Sequence, residues 1–138
     1  MGAALAAAAR PGSVAAAAAA AAARQPDATV MIRTTMNNIH ACVSNLEGDV
    51  VARSSGGLAG FKHRQRASGA AAKDIGVAIA KKAAETGHRI VHVHMKGPAR
   101  GRAQVLRGIQ EGGLRVYDIK DVTALPTGGC RPPAMRRL

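Results

Sequence analysis

The C-terminal segment from Asp121 to Leu138 is the strongest constraint on how this chain can fold. It contains isolated and paired prolines and adjacent glycines, which interrupt helices and central strands. The positive charge of its arginines is not neutralised within the segment, because no acidic side chain follows Asp121. We therefore predict an extended basic tail over residues 122–138, outside the folded core. Such a tail becomes ordered along a densely anionic partner, which points to nucleic acid.

The charge of the whole chain favours the same class of partner. Its 138 residues include 20 Lys plus Arg against 8 Asp plus Glu, for a formal net charge of +12. Such basicity suits phosphate backbones or anionic membrane surfaces. No uninterrupted apolar run reaches membrane-spanning length, so we expect no membrane partner. With Phe61 and Tyr117 as the only aromatic residues, base stacking on exposed rings is a poor model, and phosphate and sugar contacts are expected instead.

Residues 1–33 differ in composition from everything that follows. They are dominated by alanine, carry Arg10, Arg24 and Arg33, and hold one acid, Asp27. Helix-prone, arginine-bearing and acid-poor N-termini are typical of organellar transit peptides. The alternative is a disordered low-complexity extension. We predict a leader over residues 1–33, with Arg24 and Arg33 as candidate cleavage positions.

Residues 34–121 are predicted to form one α/β domain. Apolar alternation and capping signals give the order β-β-(β)-α-β-α-β, in which the third strand is optional. Small residues in the first helix predict very close packing of that helix on the sheet. The predicted strands are Ile39–Ser44, Val50–Ser54, Ile90–Lys96 and Leu114–Ile119, and the predicted helices run from Ser68 to about Thr86 and over Arg102–Glu111.

Two basic segments are candidate phosphate sites. The turn from Gly97 to Arg102 joins a strand to a helix, and a helix N-terminus beside Arg100 and Arg102 can bind an anion. The turn has neither a Walker nor a dinucleotide-binding pattern. The second segment is the cluster Lys62, His63, Arg64 and Arg66, which follows a glycine-rich stretch. The alternative for both segments is an ordinary solvated run of charges.

Metal binding and catalysis are poorly supported. His92 and His94 share a strand face and could bind a metal with His40 or Cys42 on a neighbouring strand, but no clear ligand set is completed. We therefore expect no metal, no cofactor, no small-molecule substrate and no enzyme activity. The alternative is a ribonuclease H-like nuclease, which needs converging carboxylates to hold divalent metal. The only plausible set for it is Asp49, Asp74, Asp118 and Asp121.

A series of short motifs resembles the S-eleven family of small-ribosomal-subunit proteins, in the same order and over about residues 34–138. The ending Gly-Cys-Arg-Pro-Pro after Asp-Val-Thr is the most specific of them. The motifs are Asn37-Asn38, the turn Glu47-Gly48-Asp49-Val50, Ser55-Gly56-Gly57, Gly60-Phe61-Lys62, Lys96-Gly97-Pro98, Gly101-Arg102, Asp121-Val122-Thr123, Pro126 and Gly129-Cys130-Arg131-Pro132-Pro133.

The resemblance implies a mixed sheet with two helices, and a basic tail embedded in rRNA. It implies a structural role on the platform of the small subunit, near the mRNA exit region and beside the S-seven protein. The alanine-rich leader in place of a basic N-terminal arm favours a mitochondrial ribosome in the matrix, with a plastid ribosome as the alternative. The implied rRNA contacts are Asn38, Ser55, Gly57, Lys62, Arg64, Arg66, Arg100, Arg102, Arg131, Arg136 and Arg137.

Overall fold

The computed structural model of the chain describes residues 25–98 and 100–135. Within these ranges a five-stranded mixed sheet packs against two helices, which confirms the predicted α/β class. The strand order is β3-β2-β1-β4-β5. β1 and β3 pair antiparallel with β2, whereas β4 lies parallel to both β1 and β5. The elements are β1 (Ala28–Thr34), β2 (Ile39–Asn45), β3 (Val50–Ser55), a 3-10 helix (His63–Ala67), α1 (Gly69–Glu85), β4 (Ile90–Lys96), α2 (Arg102–Glu111) and β5 (Arg115–Asp121).

Strand β1 corrects the domain boundary placed between residues 33 and 34. It is the central strand of the sheet, and Ala28, Val30 and Ile32 are at most 1% exposed. The Asp27 carboxylate accepts hydrogen bonds from the backbone N–H groups of Arg89 and Ile90, at 3.0 and 3.1 Å, and so ties the start of β1 to β4. The folded domain thus begins before Thr34. The rest of the predicted leader, residues 1–24, lies outside the described residues.

The core lies between the sheet and the two helices. Strand β4 follows its predicted alternation, because Val91, Val93 and Met95 are buried while His92 and His94 lie on the opposite face. Each fully buried aliphatic side chain contributes about 1.5–3 kcal/mol relative to an exposed one. The largest buried side chains come from the central strands and both helices: Val30, Ile32, Ile39, Val43, Ile75, Ile79, Val91, Val93, Val105 and Ile109.

Helix α1 begins and ends as the capping signals predict. The Ser68 hydroxyl accepts a hydrogen bond from Ala71 N at 3.2 Å, and Gly87 follows the helix with φ +91°. Gly76, one of its small residues, serves the contact with α2 rather than the contact with the sheet that the sequence predicted. A Cβ at Gly76 would overlap the carbonyl oxygen of Val105 and lie 2.9 Å from Gly108 Cα.

The segments outside the core differ in how well they match the sequence. The optional third strand between β3 and α1 is wrong, since a glycine-rich loop and the 3-10 helix occupy that position. Residues 122–135 of the predicted tail are exposed and form neither helix nor strand. No helix in the described ranges is long and apolar enough to cross a membrane.

Candidate nucleic-acid interface

The loop between β3 and α1 is held at its base by Gly56. A Cβ at this position would lie 2.8 Å from Arg66 O and 2.9 Å from Asn38 Oδ1. Phe61 N donates to Gly56 O at 3.0 Å and closes the loop. This close approach brings together two of the predicted contact residues, Asn38 from the β1–β2 turn and Arg66 from the 3-10 helix.

Several predicted contact residues also hold the loop through their own hydrogen bonds. Asn38 Oδ1 accepts from Ile39 N at 2.9 Å, and Ser55 Oγ accepts from Leu58 N at 3.4 Å. Arg66 Nε donates to Phe61 O at 3.2 Å. Asn38 and Ser55 are half-buried, so these side chains stabilise the loop conformation as well as forming part of its surface.

Arg64 and Arg100 line one groove, although they belong to separate segments of the chain. The groove has a volume of about 480 Å³ and also includes Asn37, Gln65 and Ser68. It lies at the N-terminus of α1, where the first N–H groups lack intrahelical acceptors and carry partial positive charge. No acidic residue lines it, and none occupies the first turn of α1. A groove of this size and charge can accept a phosphate-sized anion.

The other exposed predicted residues do not line this groove. Lys62 is exposed immediately before the 3-10 helix, and Gly57 is exposed beside the Arg66 guanidinium. A Cβ at Gly57 would stand 3.9 Å from that guanidinium, so a side chain there would begin to cover it. Arg131 lies on the exposed tail and is not part of the groove lining. Arg136 and Arg137 lie outside the described residues.

Arg102 has a different environment from the exposed arginines. Its side chain is 19% exposed and forms an ion pair with Asp121, with Nη1 at 2.7 Å from Oδ2. Nη2 donates to Thr123 Oγ1 at 2.9 Å and also to Gly97 O. Arg102 therefore joins the start of α2 to the end of β5 rather than facing solvent as a free cation.

Asp121 is the acceptor at the centre of this network. Beside its bonds to Arg102 it accepts from Thr123 Oγ1 at 2.6 Å and from Thr123 N at 3.0 Å. These bonds, led by those from Arg102 and then from Thr123, hold the pKa of the Asp121 carboxyl well below its ordinary value. We call these three residues the Arg102–Asp121–Thr123 network. It fixes the direction in which the tail leaves the sheet.

Gly97 connects the network to β1. Its φ is +108°, and a Cβ there would overlap the carbonyl oxygen of Thr34. Its N–H donates to Thr123 Oγ1 at 3.1 Å, while Thr34 Oγ1 donates to Pro98 O at 2.7 Å. The turn that holds the motifs Lys96-Gly97-Pro98 and Gly101-Arg102 thus meets the later motif Asp121-Val122-Thr123 at one end of the sheet.

Asn37 and Gln65 are among the groove residues that were absent from the predicted contacts. Asn37 belongs to the Asn-Asn motif on which the resemblance rests, so a signal for it existed. Gln65 lies inside the basic cluster and was passed over because it is uncharged. Neither could be assigned to a groove from sequence, since the groove forms only when the β1–β2 turn approaches the 3-10 helix.

The acids proposed for a nuclease do not converge. Asp49 lies in the β2–β3 turn, Asp74 on α1, and Asp121 is occupied by Arg102. Within the described ranges, no group of three or more His, Cys, Asp or Glu residues could hold a metal ion. His92 instead packs edge-on against Tyr117, with ring centroids 5.4 Å apart.

Comparison with known proteins identifies the family. Residues 28–137 match the family model for ribosomal protein S11, which begins at the first residue of β1. The chain is 42% identical over 113 residues to small ribosomal subunit protein uS11c of Euglena gracilis, covering 82% of this chain and 88% of that protein. It is 40% identical over 109 residues to small ribosomal subunit protein uS11 of Solibacter usitatus, covering 79% and 81%.

Both relatives are small ribosomal subunit proteins, which confirms the prediction that the chain is not an enzyme and removes the nuclease alternative. The matched residues include the β3–α1 loop, the groove and the network described above. The chain belongs to the ribosomal protein S11 family.

Proposed function

We propose that this protein is a structural constituent of the small ribosomal subunit that binds rRNA through the β3–α1 loop and the groove beside it. The observation that carries the proposal is the meeting of Arg64 and Arg100 at the N-terminus of α1, in a groove lined by no acid. Two guanidinium groups and a helix N-terminus form a pre-organised site for a backbone phosphate. Because the chain belongs to the S11 family, we expect that phosphate to belong to the rRNA of the small ribosomal subunit.

The remaining predicted residues extend this site in both directions. Lys62 adds a cation next to the groove, and Gly57 keeps the loop surface low so that a sugar-phosphate chain can approach. Asn38, Ser55 and Arg66 hold the loop in shape and present their remaining polar atoms to RNA. Arg131, with Arg136 and Arg137 beyond it, continues the contacts along the tail. Arg102 serves the interface by orienting that tail.

The position that we propose is the platform, near the 3′ end of the small-subunit rRNA and the mRNA exit region, with S-seven as a neighbour. The proposed compartment is the mitochondrial matrix, with a plastid ribosome as the alternative. The support for an organelle is the leader, which is rich in alanine, carries Arg10 and Arg24, and has no acid before Asp27. Contacts to rRNA phosphates would fix the position of the protein on the rRNA and would not read its base sequence.

The groove is tested by charge reversal in the full chain. We expect Arg64→Glu with Arg100→Glu to lower incorporation of the protein into small subunits by roughly tenfold or more, because each change replaces a phosphate contact with a repulsion. The matched control is Lys81→Glu with Arg107→Glu, which changes net charge equally on exposed helix positions. Sucrose-gradient fractionation with quantitative mass spectrometry measures incorporation. Equal incorporation of both variants would remove the groove from the proposal.

The compartment is tested on the native protein. Mitochondrial and plastid ribosomes are separated on gradients, and peptides of this chain are quantified in each small-subunit fraction. Recovery from mitochondrial small subunits supports the proposed address. Recovery from plastid or cytosolic small subunits keeps the ribosomal role and overturns the address, and absence from every ribosomal fraction overturns both.

A further inference from the structure

The face of the sheet opposite the two helices carries a second surface, separate from the groove. A depression of about 560 Å³ spans β3, β2, β1 and β4 on this face. Its rim holds the cations Arg33, Arg53 and Lys96, and its floor includes Met31, Cys42 and Val122. No carboxylate lines it. We call this surface the open sheet face.

The floor of the open sheet face is apolar although it is open to solvent. Met31 and Val122 are each 40% exposed, and Cys42 is half-buried. Burial raises the pKa of the Cys42 thiol, so this group is uncharged and behaves as a small hydrophobe. The antiparallel strands β1, β2 and β3 can keep one face in water, but such a face is normally polar. An apolar floor within a cationic rim is instead typical of a binding surface.

The occupant is not another part of this chain or a second copy of it. The tail carries no acid after Asp121, and residues 1–26 contain none, so both terminal segments match the rim in charge sign. A second copy would bring another formal charge of +12 against the same rim. Like charges placed across an interface are strongly unfavourable. The partner must therefore be a different, anionic molecule.

The floor favours an acidic protein segment over RNA. Bases gain affinity by stacking on aromatic rings, and of the residues that line this depression only His40 and His94 carry a ring. Phosphates would engage the rim but leave Met31 and Val122 without apolar cover. A segment with aliphatic side chains flanked by Asp or Glu contacts both the floor and the rim. Its aliphatic side chains pack on the apolar floor and exclude water, and its carboxylates bind the arginine guanidinium groups. Met31 can also adapt its shape to such an anchor.

We propose that the open sheet face binds a segment of a neighbouring protein that carries aliphatic anchors flanked by acidic side chains. This inference rests on the proposed function, because the neighbour is a protein of the same small subunit. It adds a protein contact on the face of the sheet opposite the helices, where Ser55 is the one proposed rRNA contact among the lining residues.

Site-specific photocrosslinking tests the inference in assembled subunits. p-Benzoylphenylalanine is placed at Met31 of the tagged full chain, small subunits are isolated and irradiated, and the crosslinked product is identified by mass spectrometry and nuclease sensitivity. We expect a crosslink to a ribosomal-protein peptide in which Asp or Glu flanks aliphatic residues. A crosslink to rRNA, or none at Met31, overturns the inference while leaving the ribosomal role intact. Absence of the chain from small subunits overturns the proposed function as well.

Charge reversal on the rim separates a specific contact from chance proximity. With the photoreactive residue at Met31, we expect Arg33→Glu with Arg53→Glu to reduce the protein crosslink about tenfold at equal amounts of incorporated chain, because the rim would then repel carboxylates. Arg89→Glu with Arg115→Glu, at the other end of the sheet, is the matched control and should change the yield less than about twofold. An unchanged yield in the rim variant overturns the inference.

Discussion

Gly76 leaves no room for a side chain between the two helices, so adding a single methyl group there should destabilise the fold. Gly76→Ala places a Cβ against the Val105 carbonyl oxygen and 2.9 Å from Gly108 Cα, both of which are backbone atoms. The helices must therefore separate, and we expect a loss of about 1–3 kcal/mol in the free energy of unfolding. Urea denaturation followed by circular dichroism measures it.

The control for Gly76 lies in the same helix. A Cβ at Gly69 would stand 3.7 Å from the Gln104 side chain, which is an ordinary contact. We expect Gly69→Ala to be neutral or to stabilise by up to about 1 kcal/mol, because alanine reduces the entropy of the unfolded chain. Equal stabilities for the two variants would contradict the close helix contact.

Asp121 gives a prediction about pH. Its pKa is depressed in the folded state by Arg102 and Thr123, so its stabilising effect is fully present above the unfolded-state pKa of about 3.9 and is lost as pH falls toward the lower folded value. We expect Asp121→Asn to melt at a lower temperature than the natural chain at pH 7. The difference in melting temperature should shrink as the pH falls below 4. A difference that stays constant from pH 7 to pH 2 would show that the carboxylate charge is not the cause.

The arginines of the candidate site show what the sequence could and could not predict about it. The basic cluster and the turn before α2 were identified from local composition alone. The separate roles of Arg100 and Arg102 were not, because the partner that neutralises Arg102 comes from the end of β5. The groove likewise depends on Arg64 and Arg100 meeting across the fold. Local pattern gives the charge of a segment, whereas tertiary contacts decide which charges remain free.

At the scale of elements, the signals that worked were local to each element. Strand β4 and helix α2 have the predicted bounds, since alternation and helical periodicity lie within each segment. Strand β1 was missed because alanine-rich sequence precedes it and Arg33 was counted among the arginines of the predicted leader. Its β-branched residues alternate with Met31 and Arg33, but its partners β2 and β4 are needed to show that it is central.

Strand β1 also limits where the predicted leader could be removed. Cleavage at Arg33 would delete the strand that joins β2 to β4, together with the Asp27 carboxylate that binds the start of β4. We expect a chain that begins at Gln25 to unfold cooperatively, and one that begins at Thr34 to lack a cooperative transition. Circular dichroism melts distinguish them. The mature N-terminus, read by mass spectrometry, should lie before Asp27; a mature chain that starts at Thr34 would contradict this limit.

At the scale of the whole molecule, the formal charge of +12 predicts how RNA affinity responds to salt. If roughly 6–10 phosphates are contacted, affinity for a transcript of the small-subunit rRNA should fall about 10³-fold or more between 50 and 200 mM KCl.

Each lost phosphate contact removes roughly 0.7–0.9 from the slope of log affinity against log salt, so Arg64→Gln with Arg100→Gln should flatten the slope by about 1.5. Lys81→Gln with Arg107→Gln removes the same charge from exposed helix positions and should leave the slope unchanged, because those side chains lie outside the groove. Fluorescence anisotropy across the salt series measures all three proteins. Equal flattening in both variants would mean that RNA responds to net charge alone, whereas a change confined to the first variant would locate phosphate binding at the groove.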